Sequence, residues 1–123
     1  GIEDHLYPLK KSMRSVRKNL KFSKYHEIPF KNNFFDAVFA IHCIYRLNFR
    51  DMITAIKEIQ RVSKKNSFMT LGAYHDQKGQ LLFNKWGILA TCFYHVKEWK
   101  KIFKYLNYKG DYEFTTPESL GLK

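Results

Sequence analysis

The chain is poor in the residues that would place it in several large classes. Its two cysteines, Cys43 and Cys92, lie far apart without a CxxC spacing, which argues against both a disulfide framework and a cysteine-ligated metal. No apolar run approaches the ~18 residues that a membrane span needs, and no signal peptide opens the sequence. A cytoplasmic setting without membrane contact is therefore expected. Internal repeats and low-complexity segments are absent. Acidic residues are scarce, since 11 Asp and Glu against 22 Lys and Arg leave a formal charge of +11. That balance invites a polyanionic partner. The basic runs are short and dispersed, however, at Lys10-Lys11, Arg14 to Lys18, Lys64-Lys65 and Lys97 to Lys104, as on solvated helix faces. Nucleic acid is not expected as a partner.

What is present is enough for one packed domain: 123 residues, of which 45% are hydrophobic and 17% aromatic. Leu6, Leu9, Met13, Val16 and Leu20 recur at three- and four-residue spacing and predict an amphipathic helix over Leu6 to Asn19, with Pro8 in its first turn. A short strand follows within Leu20 to Tyr25, and Pro29 with Lys31-Asn32-Asn33 breaks the chain. Phe35 to Ile41 is almost continuously apolar and reads as a strand covered on both faces. Met52, Ala55, Ile56, Ile59 and Val62 stripe one side of a helix over Phe49 to Val62. Lys64-Lys65-Asn66 stops that helix before a second buried strand, Ser67 to Tyr74. Trp99, Ile102, Phe103 and Leu106 mark a third helix, and Tyr108 to Phe114 a last strand. His75 to His95, with Gly79, Phe83, Trp86, Ile88 and Leu89, fits either a helix over the sheet end or a loop. Strand, helix and strand in this order predict an α/β fold with a parallel sheet, whose ligands bind beyond the carboxyl ends of the strands.

Three motifs in this order resemble the class I S-adenosylmethionine-dependent methyltransferases of the small-molecule type. They are Ile28-Pro29-Phe30 leading to Phe35-Asp36-Ala37-Val38, then Glu58-Ile59-Gln60-Arg61-Val62 before the strand at Phe68, and Cys92-Phe93-Tyr94 leading to Glu98-Trp99. The resemblance implies a Rossmann-like parallel sheet with flanking helices and S-adenosylmethionine as cofactor. It also implies that the first strand and its Gly-rich loop are missing from this sequence. Residues 1–123 are then expected to be the C-terminal part of a single methyltransferase domain, a fragment that opens on Gly rather than Met. Without the loop, the chain alone is expected to show little or no cofactor binding and to be inactive. Self-association through unpaired strand edges is a further expectation.

By the same resemblance Glu3 ends a strand as the acid that accepts the ribose hydroxyls, while Lys24 stands where an adenine-binding acid is usual. Methyl transfer from a sulfonium is an in-line displacement that needs chiefly positioning, with a base only where the acceptor must lose a proton. His42 and His75, directly after the two buried strands, are the candidate bases, and His42 is also a candidate cofactor contact. Tyr45, Tyr74 and Trp86 are candidates for lining the site of a small-molecule methyl acceptor. No metal ligands are expected. Asp36, at the start of its strand, reads as structural, and Glu58 with Arg61 as an exposed i,i+3 pair. The reading from a different class is a non-catalytic α/β interaction protein with a basic surface.

Overall fold

A computed structural model describes residues 1–86 and 92–123. Every strand pair in it is parallel, and the strands fall into two sheets. The smaller joins β1 (Ile2–Glu3) to β2 (Lys21–Phe22), with two short helices between them, α1 (Leu6–Lys11) and α2 (Arg14–Arg17). The larger contains β3 (Phe35–Ala40), β4 (Ser63–Tyr74), β5 (Tyr94–His95) and β6 (Asp111–Thr115). Strand β4 is its hub, bonding β3 through Ser63 to Met69, β6 through Phe68 to Gly72, and β5 through Ala73 and Tyr74. Helices α3 (Phe49–Val62), α4 (Gln77–Trp86) and α5 (Val96–Tyr105) complete a Rossmann-like α/β arrangement.

The core is built where the sequence pattern is strongest. In α3 the Asn48 side chain accepts the Asp51 amide at 2.8 Å and caps the first turn. Met52, Ala55, Ile56, Ile59 and Val62 are then all buried along one stripe, each large aliphatic side chain contributing about 1.5–3 kcal/mol. Helix α5 is capped in the same way, by His95 Nδ1 on the Lys97 amide at 3.0 Å, and buries Val96, Trp99 and Phe103. Gln60 on α3 fixes the turn after α5, because its amide donates to the Leu106 carbonyl at 3.3 Å and accepts the Lys109 amide at 2.9 Å.

Three expectations are corrected. The helix over Leu6 to Asn19 is two helices broken at Ser12-Met13, and neither buries a residue. Helices of six and four residues are marginal on their own. The break is held by Arg17, whose guanidinium donates to the carbonyls of Lys10 at 2.8 Å and Ser12 at 2.6 Å. Lys64 to Asn66 do not separate helix from strand: β4 begins at Ser63, directly after α3, and carries the three polar residues exposed at its amino end. There Lys64 pairs with Asp36 at 3.1 Å, an exposed structural contact.

The third correction has the largest consequence. Strand β3 is not covered on both faces, for Phe39 is 71% exposed while Ala40 is buried, and Ile41, just past its end, is 48% exposed. Of the long uncertain segment, Gln77–Trp86 is helical; Ile88 and Leu89 lie outside the described residues.

Candidate active site

The carboxyl ends of β1 and β3 and the chain just past β2 converge on one crevice. Glu3 closes β1, and its Oε1 accepts the His5 amide at 3.0 Å, turning the chain away from the strand axis. Its Oε2 has no hydrogen-bond partner among the described residues. Beside it, Asp4 Oδ1 lies 2.6 Å from His5 Nδ1. Tyr25 lies past the end of β2; burial first, then the charges of Asp4 and Glu3, push its hydroxyl up to about 12. Cys43, past the end of β3, faces the same charge: burial and then Asp4 push its thiol up to about 11. A thiol so raised is no nucleophile at neutral pH. The crevice therefore presents carboxylates and a neutral phenol, a donor set suited to ligand hydroxyl and amino groups.

His42 sits where β3 leaves the sheet, and its backbone is in the left-handed region at φ 51°. A non-glycine residue there stores strain of the order of 1 kcal/mol and is held by its surroundings. The holding contact is the buried Thr70 of β4, whose Oγ1 accepts the His42 amide at 2.9 Å. The exposed imidazole meets Tyr45 edge-on, with ring centroids 6.2 Å apart. Tyr45 continues onto Phe93 at 5.5 Å, and Phe93 stacks on Phe83 at 4.3 Å and on Trp86 at 6.3 Å. Phe93 reaches this place because Gly72 has no side chain; a Cβ there would collide with its ring.

The expected residues thus separate into three places. Glu3 lies on the β1 side of the crevice. His42, Tyr45 and Trp86 come together through Phe93, whose place in the Cys92-Phe93-Tyr94 motif does not by itself disclose that role. Phe83 is core, whereas Trp86 remains 48% exposed at the rim. Tyr74 and His75 are not part of that cluster: Tyr74 is buried and packs edge-on against His95 at 5.9 Å, and the exposed His75 offers its carbonyl to His95 Nε2 at 2.8 Å.

Glu58 and Arg61 are more than an exposed pair. Arg61 Nε donates to Glu58 Oε1 at 2.6 Å, and its two terminal nitrogens reach the Phe30 carbonyl at 2.8 Å, the Ile28 carbonyl at 2.9 Å and Asn32 Oδ1 at 3.0 Å. Glu58 in turn accepts the Ile28 amide at 3.1 Å. This clamp fastens Ile28 to Asn33, the loop that delivers the chain into β3, onto α3. The hydrogen bond from Arg61 holds the Glu58 carboxyl below its ordinary range.

The strands are parallel and Glu3 stands at the carboxyl end of β1, the side on which Rossmann-like sheets bind ligands. The model of the family described as "Methyltransferase domain" matches residues 5–71, more than half of the sequence, and the chain belongs to that family of class I S-adenosylmethionine-dependent methyltransferase domains. No curated protein matches the chain at a significant level. None of the described helices is long and apolar enough to cross a membrane.

Proposed function

We propose that residues 1–123 serve an S-adenosylmethionine-dependent methyl transfer to a small-molecule acceptor, within a single domain and a cytoplasmic setting that suits a sequence with only two, widely spaced cysteines. The observation that carries this reading is the unpartnered Glu3 Oε2 at the carboxyl end of β1 in a chain of this family. The donor set fits the cofactor: Glu3 accepts the ribose hydroxyls, and His42 contacts the cofactor from the β3 side. When bound, S-adenosylmethionine supplies an electrophilic methyl group on a sulfonium, so this chain's own residues need only place the acceptor in line and take its proton. Tyr45 and Trp86, joined by Phe93, form the apolar rim on which the acceptor lies and from which water is excluded. His42 takes the proton, its backbone fixed by Thr70. His75, with Tyr74 beside it, is a second candidate for the same two tasks from the β4 side. The basic charge is assigned to solvated surface.

Equilibrium dialysis with labelled S-adenosylmethionine tests the reading in a longer chain that carries a strand and Gly-rich loop ahead of Gly1, because little or no binding is expected without them. Glu3→Ala should weaken binding by about 1–3 kcal/mol, as when a buried hydrogen-bonding group loses its partner, and Glu3→Gln by less. Equal binding by the wild-type and Glu3→Ala chains would remove Glu3 from the site and this function with it.

A further inference from the structure

His95 stands between two elements and uses both of its ring nitrogens. Its Nδ1 accepts the Lys97 amide at 3.0 Å, as the N-cap of α5, and its Nε2 lies 2.8 Å from the carbonyl of His75, where the chain leaves β4. A carbonyl only accepts, so the ring proton sits on Nε2 and Nδ1 is bare. The two bonds together fit one species, the neutral Nε2–H tautomer. Tyr74 of β4 is the register partner of His95 in β5, and its ring meets the imidazole edge-on at 5.9 Å. Helices are capped in this way mostly by Ser, Thr, Asp or Asn, whose oxygens accept across the physiological pH range. A histidine cap does not, because protonation puts a second N–H on Nδ1, opposite the Lys97 N–H that it served.

We infer that His95 is a proton-operated latch: neutral, it joins the exit of β4 to the first turn of α5, and protonated, it releases that turn while keeping the His75 carbonyl. The groups around it set the balance. On α5 the amino end of the helix and the cationic Lys97 disfavour a charged imidazole, whereas Glu98 in the first turn favours one. On β4 Tyr74 is a neutral phenol, its hydroxyl pushed up by burial and then by Glu98. His75 beyond it offers its carbonyl and a second imidazole, which carries like charge when protonated. Asp76 is engaged by α4, its Oδ1 accepting the Gly79 amide at 2.7 Å. Tyr94 of β5 is neutral too, since burial pushes its hydroxyl up, and the α3 residue that meets it at 6.2 Å is the uncharged Phe49. The released turn is the one that seats Trp99 against the Gly72 carbonyl, and Phe93, which joins Tyr45 to Trp86, lies two residues before the latch. Acid therefore loosens this flank of the crevice and leaves the buried stripe of α3 in place. The inference does not rest on the proposed methyl transfer.

The test follows the histidine ring nitrogens and the backbone amides of the intact isotope-labelled chain by nuclear magnetic resonance. At the alkaline end His95 should show a protonated Nε2 and a bare Nδ1. On acidification from about pH 8 to about pH 5, where histidines change charge, exchange protection at the Lys97 and Trp99 amides should fall by about tenfold or more. The fall should track protonation of the His95 ring, while protection within α3 is kept. His95→Asn, which caps without a titrating ring, should hold the protection of Lys97 and Trp99 constant over the same range. An Nδ1–H tautomer in the wild type would overturn the inference. So would wild-type protection that stays constant through ring protonation, or that falls equally in His95→Asn.

Discussion

Replacing Trp99 by alanine is expected to cost the fold about 4 kcal/mol, within the range for emptying a large buried aromatic site. Trp99 is fully buried and its indole Nε1 donates to the Gly72 carbonyl at 2.9 Å. The ring stacks on Phe103 at 6.0 Å and meets Tyr94 edge-on at 5.2 Å. Truncation opens a cavity under α5 and removes the indole bond to a β4 carbonyl at Gly72, where the absence of a side chain admits Phe93. Since a domain of this size is stable by only about 5–15 kcal/mol, most of the margin would go. Trp99→Phe keeps the ring contacts and loses only the indole bond, so its cost should be about 1–2 kcal/mol above the small loss of area. Urea unfolding followed by circular dichroism measures both. A loss below about 1 kcal/mol for Trp99→Ala would mean that α5 is not seated on β4 through this residue.

The second large effect is expected at the clamp between α3 and the loop before β3. Arg61→Met keeps the apolar stem and removes every guanidinium bond, at a cost of about 2 kcal/mol, less than for a fully buried ion pair because both partners are partly solvated. The clamp also gives the fold an acid-sensitive component. Glu58 titrates below its ordinary range in the folded chain, so the unfolded chain takes up the proton first. The stabilisation is complete above the unfolded value of about 4.3 and is lost as the pH falls through the lower folded value. Unfolding measured from pH 7 down into this range should show that decline in the wild type and a flatter profile in Arg61→Met. Identical slopes would show that the carboxyl is not held by Arg61. Hydrogen exchange in Ile28 to Asn33 should quicken in the same variant, since the loop loses its contacts at Ile28, Phe30 and Asn32.

Both residues illustrate what a sequence can and cannot disclose. The stripe containing Trp99 is legible because helical spacing states which side chains share a face, and the same holds for Met52 to Val62 and for the apolar runs of β3 and β4. The clamp is not legible: the i,i+3 spacing of Glu58 and Arg61 is local, while the atoms they hold lie about thirty residues earlier. The paired helices α1 and α2 show the reverse failure. Their apolar spacing satisfies a helical pattern, yet neither helix buries a residue, and the pattern alone does not record how much partner surface exists. At the site, His42 is a candidate from its position after a buried strand, where ligands of parallel sheets gather, and Glu3 only through the family resemblance. That Tyr45 and Trp86 meet through Phe93, whereas Tyr74 turns to His95, depends on side-chain packing from three separate elements. Covering both faces of β3 was inferred from composition, and the strand's composition is indeed that of a covered one; the exposure of Phe39 reflects its neighbours, not its sequence.

The most direct measurement of the account is the location of the cofactor site on the labelled chain carrying a strand and Gly-rich loop ahead of Gly1. Titration with S-adenosylhomocysteine, followed through backbone amide shifts, should move Glu3, Asp4, His42 and Cys43 most, with the set at the carboxyl ends of β1 and β3 absent in Glu3→Ala. Shifts concentrated instead at the amino ends of the strands, around Lys21, Phe35 and Asp111, or none at saturating ligand, would contradict it.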